Sequence, residues 1–164
     1  MADVVSIAVR SRMMAGIRGK NTKPELIIRR GLHAQGFRFL LHDKRLPGKP
    51  DLVFPKYQAV IFVHGCFWHG HDCHLFKWPK TRKDFWRKKI ERNREVDENA
   101  TELLKKSGWR SCVVWECALK GRTQLGREDV IRSIGEWLSF ERKRTIIIRG
   151  KNVGKGPGKL DNRK

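Results

Sequence analysis

The feature that most constrains the fold is a short segment crowded with cysteine and histidine. Residues 64–74 hold two cysteines and four histidines in eleven positions. Thiols and imidazoles at this density are typical of a metal site. A bound ion would fix this segment against the part of the chain that supplies the last ligand. The alternative is a cluster of free thiols and surface histidines.

The positions of the cysteines on the predicted loop and strand indicate which of them could bind the metal ion. Tetrahedral zinc needs a fourth ligand besides the three that this loop offers most readily. Cys112 and Cys117 both fall on a predicted strand, residues 109–117, but five positions apart puts them on opposite faces. Cys117 lies at the strand end, within reach of the loop, whereas Cys112 is expected in the core. We therefore predict a closed, structural zinc site of Cys66, His71, Cys73 and Cys117. His69 is then free for chemistry.

The charge of the chain identifies its class of partner. The 164 residues suit one domain with one core, and 37 Lys and Arg against 17 Asp and Glu leave a net charge of +20. A surplus of this size indicates a polyanion, with nucleic acid favoured over an anionic membrane. No apolar run approaches the roughly 18 residues that a membrane span needs, and the first residues lack a secretion signal. We therefore expect a cytoplasmic protein with reduced cysteines.

The basic residues concentrate at the two ends. We expect a basic N-terminal arm at residues 1–21, a folded domain at residues 22–141 and a basic, disordered tail at residues 142–164. The tail is rich in lysine, arginine and glycine, so it cannot bury enough apolar area to offset its chain entropy. Both ends could contact DNA or simply keep the protein in solution.

Helical and strand patterns alternate between the two ends. Thr22 to Glu25 form a capping box, so a helix is expected there, closed by Gly36. Strands are predicted at residues 37–41, 51–54, 59–64 and 109–117, and further helices at residues 82–106 and 128–140. The strand at residues 59–64 is apolar on both faces, which indicates the centre of the sheet. The predicted class is α/β or α+β, with one central mixed sheet flanked by helices.

A carboxylate and an imidazole are expected to meet on a central hairpin. A tight turn at residues 56 and 57 would pair positions that sum to 113, which sets Asp51 opposite Phe62 and one step from His64. Metal-dependent nucleases need this combination, because a carboxylate holds Mg²⁺ while an imidazole moves the proton. The alternative is a turn-capping Asp51 and an incidental His64.

The long helix carries polar residues where apolar ones are expected. Spacings of three and four put Asn93 and Asp97 on the face that also holds Trp86, Ile90, Ala100 and Leu104. Burying them unpaired would be costly, so a nearby histidine or metal-bound water is expected as a partner. A frayed stripe with both groups in water is the alternative. Glu25 lies in the first turn of the first helix, where a capping residue is expected, so its position alone does not indicate a role in the site.

Exposed aromatic residues accompany the basic ones. Phe67 and Trp68 lie inside the cysteine–histidine loop, and Trp86 begins the long helix beside a run of lysines and arginines. Such side chains can wedge between base pairs while the cations bind phosphates. Core packing for Trp86 and a lid over the zinc site for Phe67 and Trp68 are the alternatives.

Several runs together resemble a known family. They are LPGKPD at residues 46–51, VIFVHGCFWH at 60–69, HDC at 71–73, TRKDFW at 81–86, GWR at 108–110 and VWECAL at 114–119. Over residues 10–137 the chain resembles the very-short-patch repair (Vsr) DNA mismatch endonucleases. The resemblance implies a restriction-endonuclease-like fold and a nick 5′ to the thymine of a T·G mismatch, which arises when 5-methylcytosine deaminates.

The resemblance also implies roles for particular residues. Asp51, helped by the backbone carbonyl of Val63, would bind two Mg²⁺ ions; the family carries threonine at the Val63 position. His69 would be the general base, assisted by His64 at the phosphate. Glu25 would orient a histidine, and Asp97 would support the site from the long helix. The DNA contacts implied are intercalation by Phe67, Trp68 and Trp86, minor-groove contact by Met14, and placement near the mispaired bases for Lys89 and Asn93.

Three functions remain open from the sequence. The first is a Mg²⁺-dependent mismatch nickase, the second a related nuclease of matched duplex DNA, and the third a non-enzymatic zinc module that binds nucleic acid. The first implies a bacterial, nucleoid-associated monomer, since one site suffices to nick one strand. It also implies a functional link to a DNA cytosine methyltransferase and to other mismatch-repair proteins.

Overall fold

The computed structural model describes residues 20–151, together with Ser6 and Ala8. The predicted DNA contact Met14, most of the basic arm and residues 152–164 of the predicted tail lie outside the described residues. No helix in the described part is long and apolar enough to cross a membrane.

The first helix, α1 (Lys23–Ala34), begins at the predicted capping box. The Thr22 hydroxyl accepts a hydrogen bond from the backbone N–H of Glu25 (3.5 Å), and a proline occupies the first turn. The helix ends before Gly36, whose φ of +92° suits glycine and turns the chain. The helix start predicted from residues 22–25 is therefore confirmed, and it fixes Glu25 one turn from the helix N-terminus.

Five strands form one mixed sheet. They are β1 (Leu40–Leu41), β2 (Leu52–Phe54), β3 (Ala59–His64), β4 (Arg110–Trp115) and β5 (Thr145–Ile148), in that spatial order. The pairs β1–β2 and β2–β3 are antiparallel, while β3–β4 and β4–β5 are parallel. Strand β3, which is apolar on both faces, lies at the centre as predicted.

The β2–β3 hairpin has the predicted register. Leu52 pairs with Ile61 and Phe54 with Ala59, so paired positions sum to 113. A 3₁₀ turn at Pro55–Tyr57 makes the reversal, and Gln58 leaves it in a left-handed conformation. Asp51 continues the ladder by donating its backbone N–H to the Ile61 carbonyl (3.0 Å). The carboxylate is thereby held beside the second half of β3.

Helices cover both faces of the sheet. Helices α1 and α3 (Arg127–Ser139) pack on one face, where Ile28, Trp137 and Ile61 belong to the larger core cluster. On the other face Leu104, from the long helix α2 (Lys83–Lys106), packs with Val60 and Phe62. Because strand side chains alternate, the face that carries Val60 and Phe62 also carries His64 at the end of β3. The predicted mixed sheet flanked by helices is confirmed.

Three sequence predictions about the strands need correction. The strand expected at residues 37–41 is formed only by Leu40 and Leu41. The strand expected to run to Cys117 ends at Trp115, and Cys117 lies on a 3₁₀ turn, Glu116–Ala118. The prediction of disorder from residue 142 is wrong for residues 145–148, which form β5. Ile146, Ile147 and Ile148 are strand residues paired to β4, so this short apolar run outweighs the basic composition around it.

Trp137 on α3 gives a direct test of this core. Its side chain is fully buried, its ring lies under the Arg110 guanidinium (4.6 Å), and its indole N–H donates to the Lys143 carbonyl (2.9 Å). We expect Trp137→Ala to lower the free energy of unfolding by about 3–5 kcal/mol, measured by urea denaturation. Phe140→Ala, at a side chain 84% exposed, is the control and should change it by less than about 0.5 kcal/mol. Equal effects of the two substitutions would contradict this packing.

Candidate active site and metal centre

The functional side chains gather where β3 and β4 end. Because these strands are parallel, their last residues, His64 and Trp115, are paired neighbours. The cysteine–histidine loop follows His64, and the 3₁₀ turn with Cys117 follows Trp115. Two segments distant in sequence therefore leave the sheet at the same edge, which is the reason that they can share ligands.

Four side chains at this edge form a candidate metal centre. One ligand atom from each lies within 4.8 Å of all the others: Cys66, His71, Cys73 and Cys117. The His71 Nδ1 atom lies 3.5 Å from the Cys66 sulfur and 3.6 Å from the Cys117 sulfur. The structure therefore brings together the four predicted ligands, and it buries Cys112 in the core as expected. This cluster could hold a metal ion.

The chain beyond β5 closes over the same centre. The backbone N–H of Gly150 donates to the Cys117 sulfur (3.3 Å). A Cβ atom at Gly150 would lie 2.7 Å from the Cys117 carbonyl oxygen, so only glycine allows this approach. Burial raises the pKa of the Cys66 thiol and lowers the pKa of His71 to about 4. A metal ion would supply the positive charge that buried thiolates need, and a neutral His71 is ready to ligate.

A second group joins the loop to the long helix. The Asp97 carboxylate on α2 accepts a hydrogen bond from Nδ1 of His69, and its other oxygen lies 3.7 Å from Nε2 of His64. The two imidazoles stack with ring centres 4.0 Å apart and 9° between their planes. A carboxylate that accepts from Nδ1 fixes the tautomer in which Nε2 can take up a proton. The partner expected for Asp97 is therefore a histidine, His69.

Burial makes His64 differ from an ordinary surface histidine. Its side chain is 8% exposed, and its Nδ1 atom has no hydrogen-bond partner among the described residues. Burial, reinforced by the neighbouring His69, lowers the pKa of His64 to about 4. His64 is therefore neutral near pH 7, able to donate one hydrogen bond and accept another.

The long helix also holds the backbone of the loop. The Asn93 amide donates to the Trp68 carbonyl (2.7 Å), and Arg94 donates to the carbonyls of His69 (3.0 Å) and Gly70. A Cβ atom on Gly70 would lie 2.6 Å from the Arg94 guanidinium. Three consecutive loop carbonyls are thus fixed by α2, and this supports the orientation of His69.

A third group surrounds Asp51. Ligand atoms of Glu25, His42 and Asp51 all lie within 4.8 Å of one another. One Asp51 oxygen accepts the backbone N–H of Val63 (2.7 Å), and His42 Nε2 lies 2.6 Å from Oε1 of Glu25. Burial raises the pKa of Asp51, with a further contribution from the Glu25 carboxylate, against the lowering effect of the Val63 N–H. The Val63 contact links this group to His64, the next residue of β3.

The predicted catalytic residues fall into two groups, each compact enough to hold a metal ion, rather than into the single cluster expected from the sequence. Asp51 lies with Glu25 and His42, while His64 and His69 lie with Asp97, in the part of the chain that the structure describes. The histidine beside Glu25 is His42, which the sequence reasoning did not identify. The feature that could have identified His42 is the register of β1 against β2. Leu41 pairs with Leu52, so position 42 comes opposite Asp51.

The predicted wedge residues form one aromatic cluster. Ring centres lie 5.3 Å apart for Phe67 and Trp68, 5.2 Å for Phe67 and Trp86, and 5.9 Å for Trp68 and Trp86. Trp86 is half-buried in this cluster, so core packing does not account for it. Lys89 is exposed on α2.

Trp115 and Glu116 are further site residues that sequence reasoning missed. The Trp115 ring stacks on the His71 imidazole at 4.0 Å and lies edge-on to His64 at 5.2 Å. The Glu116 carboxylate accepts the backbone N–H of Cys66 (3.2 Å). Trp115 thus packs between the metal centre and the paired histidines. Only the strand pairing of β3 and β4 could have revealed it.

Carboxylates, an oriented imidazole and a basic helix lie together at one edge of the sheet, and these are groups that could bind a metal ion and cleave a phosphodiester. The family whose description is "DNA mismatch endonuclease Vsr" matches residues 2–75. The chain is 45% identical over 141 residues to "DNA mismatch endonuclease Vsr" of Escherichia coli (strain K12), covering 86% of this chain and 90% of that protein.

Two nicking enzymes are also similar. "Type II nicking enzyme V.XorIIP" of Xanthomonas oryzae pv. oryzae is 50% identical over 119 residues, 73% of this chain and 88% of that enzyme. "Type II nicking enzyme V.NmeAIP" of Neisseria meningitidis is 47% identical over 137 residues, 83% and 96% of the two chains. The chain therefore belongs to the DNA mismatch endonuclease Vsr family, and it is a DNA endonuclease.

The four-ligand centre makes a prediction about bound metal. We expect Cys66→Ser to lower the metal content well below that of the wild type and to lower Tm, because one thiolate ligand is lost. The measurement is plasma mass spectrometry of purified protein alongside thermal unfolding. Cys112→Ser is the matched control: its buried hydroxyl should cost about 1–3 kcal/mol of stability while metal content stays unchanged. Full metal content in Cys66→Ser would refute the ligand assignment.

Proposed function

We propose that this endonuclease nicks one DNA strand 5′ to the thymine of a T·G mismatch, in a reaction that requires Mg²⁺. The observation that carries the proposal is the His69–Asp97 pair, held beside the hairpin that positions Asp51. We assign the mixed sheet to the restriction-endonuclease-like fold, on the strength of the family. The biological role would be repair of deaminated 5-methylcytosine, which leaves a T·G pair.

The residues around Asp51 fit Mg²⁺. Carboxylate oxygens are the donors that this ion prefers, and Glu25 and Asp51 supply two carboxylates in a largely buried setting. The Glu25 Oε2 atom is buried without a hydrogen bond among the described residues, so this oxygen is available to bind a metal ion. Asp51 and the Val63 carbonyl would hold two Mg²⁺ ions. When bound, Mg²⁺ neutralises charge that builds on the phosphodiester.

Valine in place of the family's threonine is compatible with this site. The Val63 side chain packs against the larger core cluster, and its backbone N–H already holds Asp51. A hydroxyl there would lie among apolar side chains. The role proposed for this position needs only the backbone, so we infer that the change leaves metal binding intact.

The two histidines would handle the proton and the phosphate. With its Nδ1 proton directed at Asp97, His69 can accept a proton from the attacking water at Nε2 and so act as the general base. His64 is neutral near pH 7, so it would donate a hydrogen bond to a phosphate oxygen. Asp97 acts through His69 and is a positioning residue.

The aromatic cluster would recognise the mismatch. A wobble pair is poorly stacked, so separating it costs less than separating a matched pair. We propose that Phe67, Trp68 and Trp86 insert beside the mispaired bases, with Lys89 close to the DNA. Asn93, whose amide holds the Trp68 carbonyl, would support this wedge from behind. Minor-groove contact by Met14 remains a prediction.

The four-ligand centre fits structural zinc. Three sulfurs and one imidazole nitrogen form a standard tetrahedral zinc set, and a site closed by four protein ligands leaves no position for a substrate. We propose one zinc ion that fixes the loop carrying His69. The non-enzymatic zinc module considered at the outset does not fit a member of an endonuclease family. A nuclease of matched duplex DNA remains the second candidate, because several relatives are named type II nicking enzymes.

Strand-resolved cleavage of paired substrates tests the proposal. With Mg²⁺, wild-type protein should nick a T·G duplex on the thymine strand and leave a duplex of the same sequence with T·A uncut. Asp51→Asn should reduce nicking by at least about 10³-fold, because the metal loses a carboxylate, while binding to the T·G duplex stays within about twofold. Lys56→Gln, in the exposed 3₁₀ turn, is the control.

Two outcomes would contradict the proposed nicking of T·G mismatches. Equal cutting of both duplexes would favour the matched-duplex nuclease. Nicking by Asp51→Asn at the wild-type rate would remove Asp51 from the site.

A further inference from the structure

The group around Asp51 contains one member without an assigned role, His42. Glu25 lies in the first turn of α1, His42 directly after β1, and Asp51 directly before β2. The Glu25 side chain is 2% exposed and that of His42 16% exposed. Three side chains from three elements therefore converge in a largely desolvated space.

The backbone holds His42 in place for this contact. Its N–H donates to the Asp51 carbonyl (3.1 Å), which continues the β1–β2 ladder by one residue. Its φ of +49° is in the left-handed region, which non-glycine residues rarely adopt. The turn at His42 thus brings the imidazole to Glu25, with Nε2 2.6 Å from Oε1.

The two carboxylates beside it lack a full complement of partners. Glu25 is buried and the adjoining Asp51 is half-buried, and two negative charges held this close together repel each other. The Glu25 Oε2 atom accepts no hydrogen bond among the described residues, and the nearest cation, Arg29, lies 3.8 Å from it. A cation between the carboxylates would relieve this repulsion and satisfy Oε2.

We propose that His42 is a protein ligand of the divalent cation that Asp51 and Glu25 hold. The cation then has two carboxylates and one imidazole nitrogen from the protein. This inference rests on the proposed metal-dependent function and deepens it. Mg²⁺ prefers oxygen ligands and gives up its water reluctantly, whereas a transition-metal ion accepts an imidazole nitrogen more readily, so this endonuclease should bind Mn²⁺ more tightly than Mg²⁺.

Manganese binding tests the ligand directly, without reference to cleavage. The full-length protein, with its native metal in the cysteine centre, is titrated with Mn²⁺ and followed by electron paramagnetic resonance. Electron spin-echo spectroscopy then detects a nitrogen bonded to the manganese. Wild-type protein should show imidazole nitrogen coupling. His42→Gln should bind Mn²⁺ about tenfold more weakly and lose that coupling, while His33→Gln, an exposed histidine at the other end of α1, should keep both.

The variants distinguish a failure of the His42 assignment from a failure of the proposed metal-dependent function on which it rests. Mn²⁺ affinity or nitrogen coupling in His42→Gln equal to the wild type would overturn the ligand assignment. Asp51→Asn should lose Mn²⁺ binding at this site; if it bound and nicked like the wild type, the Asp51 site itself would be wrong. If His42→Gln does not fold, His42→Ala with added imidazole replaces it. Recovery of the nitrogen coupling there would support the assignment, and Mn²⁺ binding of full strength without added imidazole would overturn it.

Discussion

One constraint underlies the site: four side chains from two segments distant in sequence meet at one edge of the sheet, where they could hold a metal ion. Cys66, His71 and Cys73 come from the loop after β3, and Cys117 comes from the turn after β4. Gly150, just beyond β5, donates its N–H to the same sulfur. A loop of this length without secondary structure would otherwise be mobile, because its backbone gains few bonds of its own. An ion bound by these four side chains would remove that freedom and let the loop carry residues that must be placed accurately.

The side chains proposed for catalysis gain their geometry from this loop and from the long helix α2. His69 leaves the loop two residues before the ligand His71, and Asp97 on α2 fixes its imidazole. Asn93 and Arg94 hold the loop backbone on the same helix, while Trp68 projects from the loop into the aromatic cluster. One anchored segment thus carries both the proposed base and the proposed DNA wedge. The hairpin brings Asp51 to the neighbouring position through the Val63 N–H.

Local sequence patterns predicted much of this arrangement. The capping box located α1, the apolar run located β3 at the centre, and the turn register placed Asp51 opposite Phe62 and close to His64, because these follow from short-range rules. The place of His42 depends on the register of β1 against β2 across an irregular connection, and that of Trp115 on the pairing of β3 with β4, which are distant in sequence. Neither pairing follows from a pattern within one element. Strand β5 was missed because its three isoleucines lie within a strongly basic segment, and composition alone does not show that β4 offers an edge to pair with.

X-ray absorption spectroscopy at the zinc edge of the purified wild-type protein tests the central constraint most directly. The account predicts one zinc per chain, with three sulfur neighbours at about 2.3 Å and one nitrogen at about 2.0–2.1 Å. A protein without zinc, or a coordination shell made only of oxygen and nitrogen, would contradict it. In that case the loop that carries His69 would need another explanation for its position.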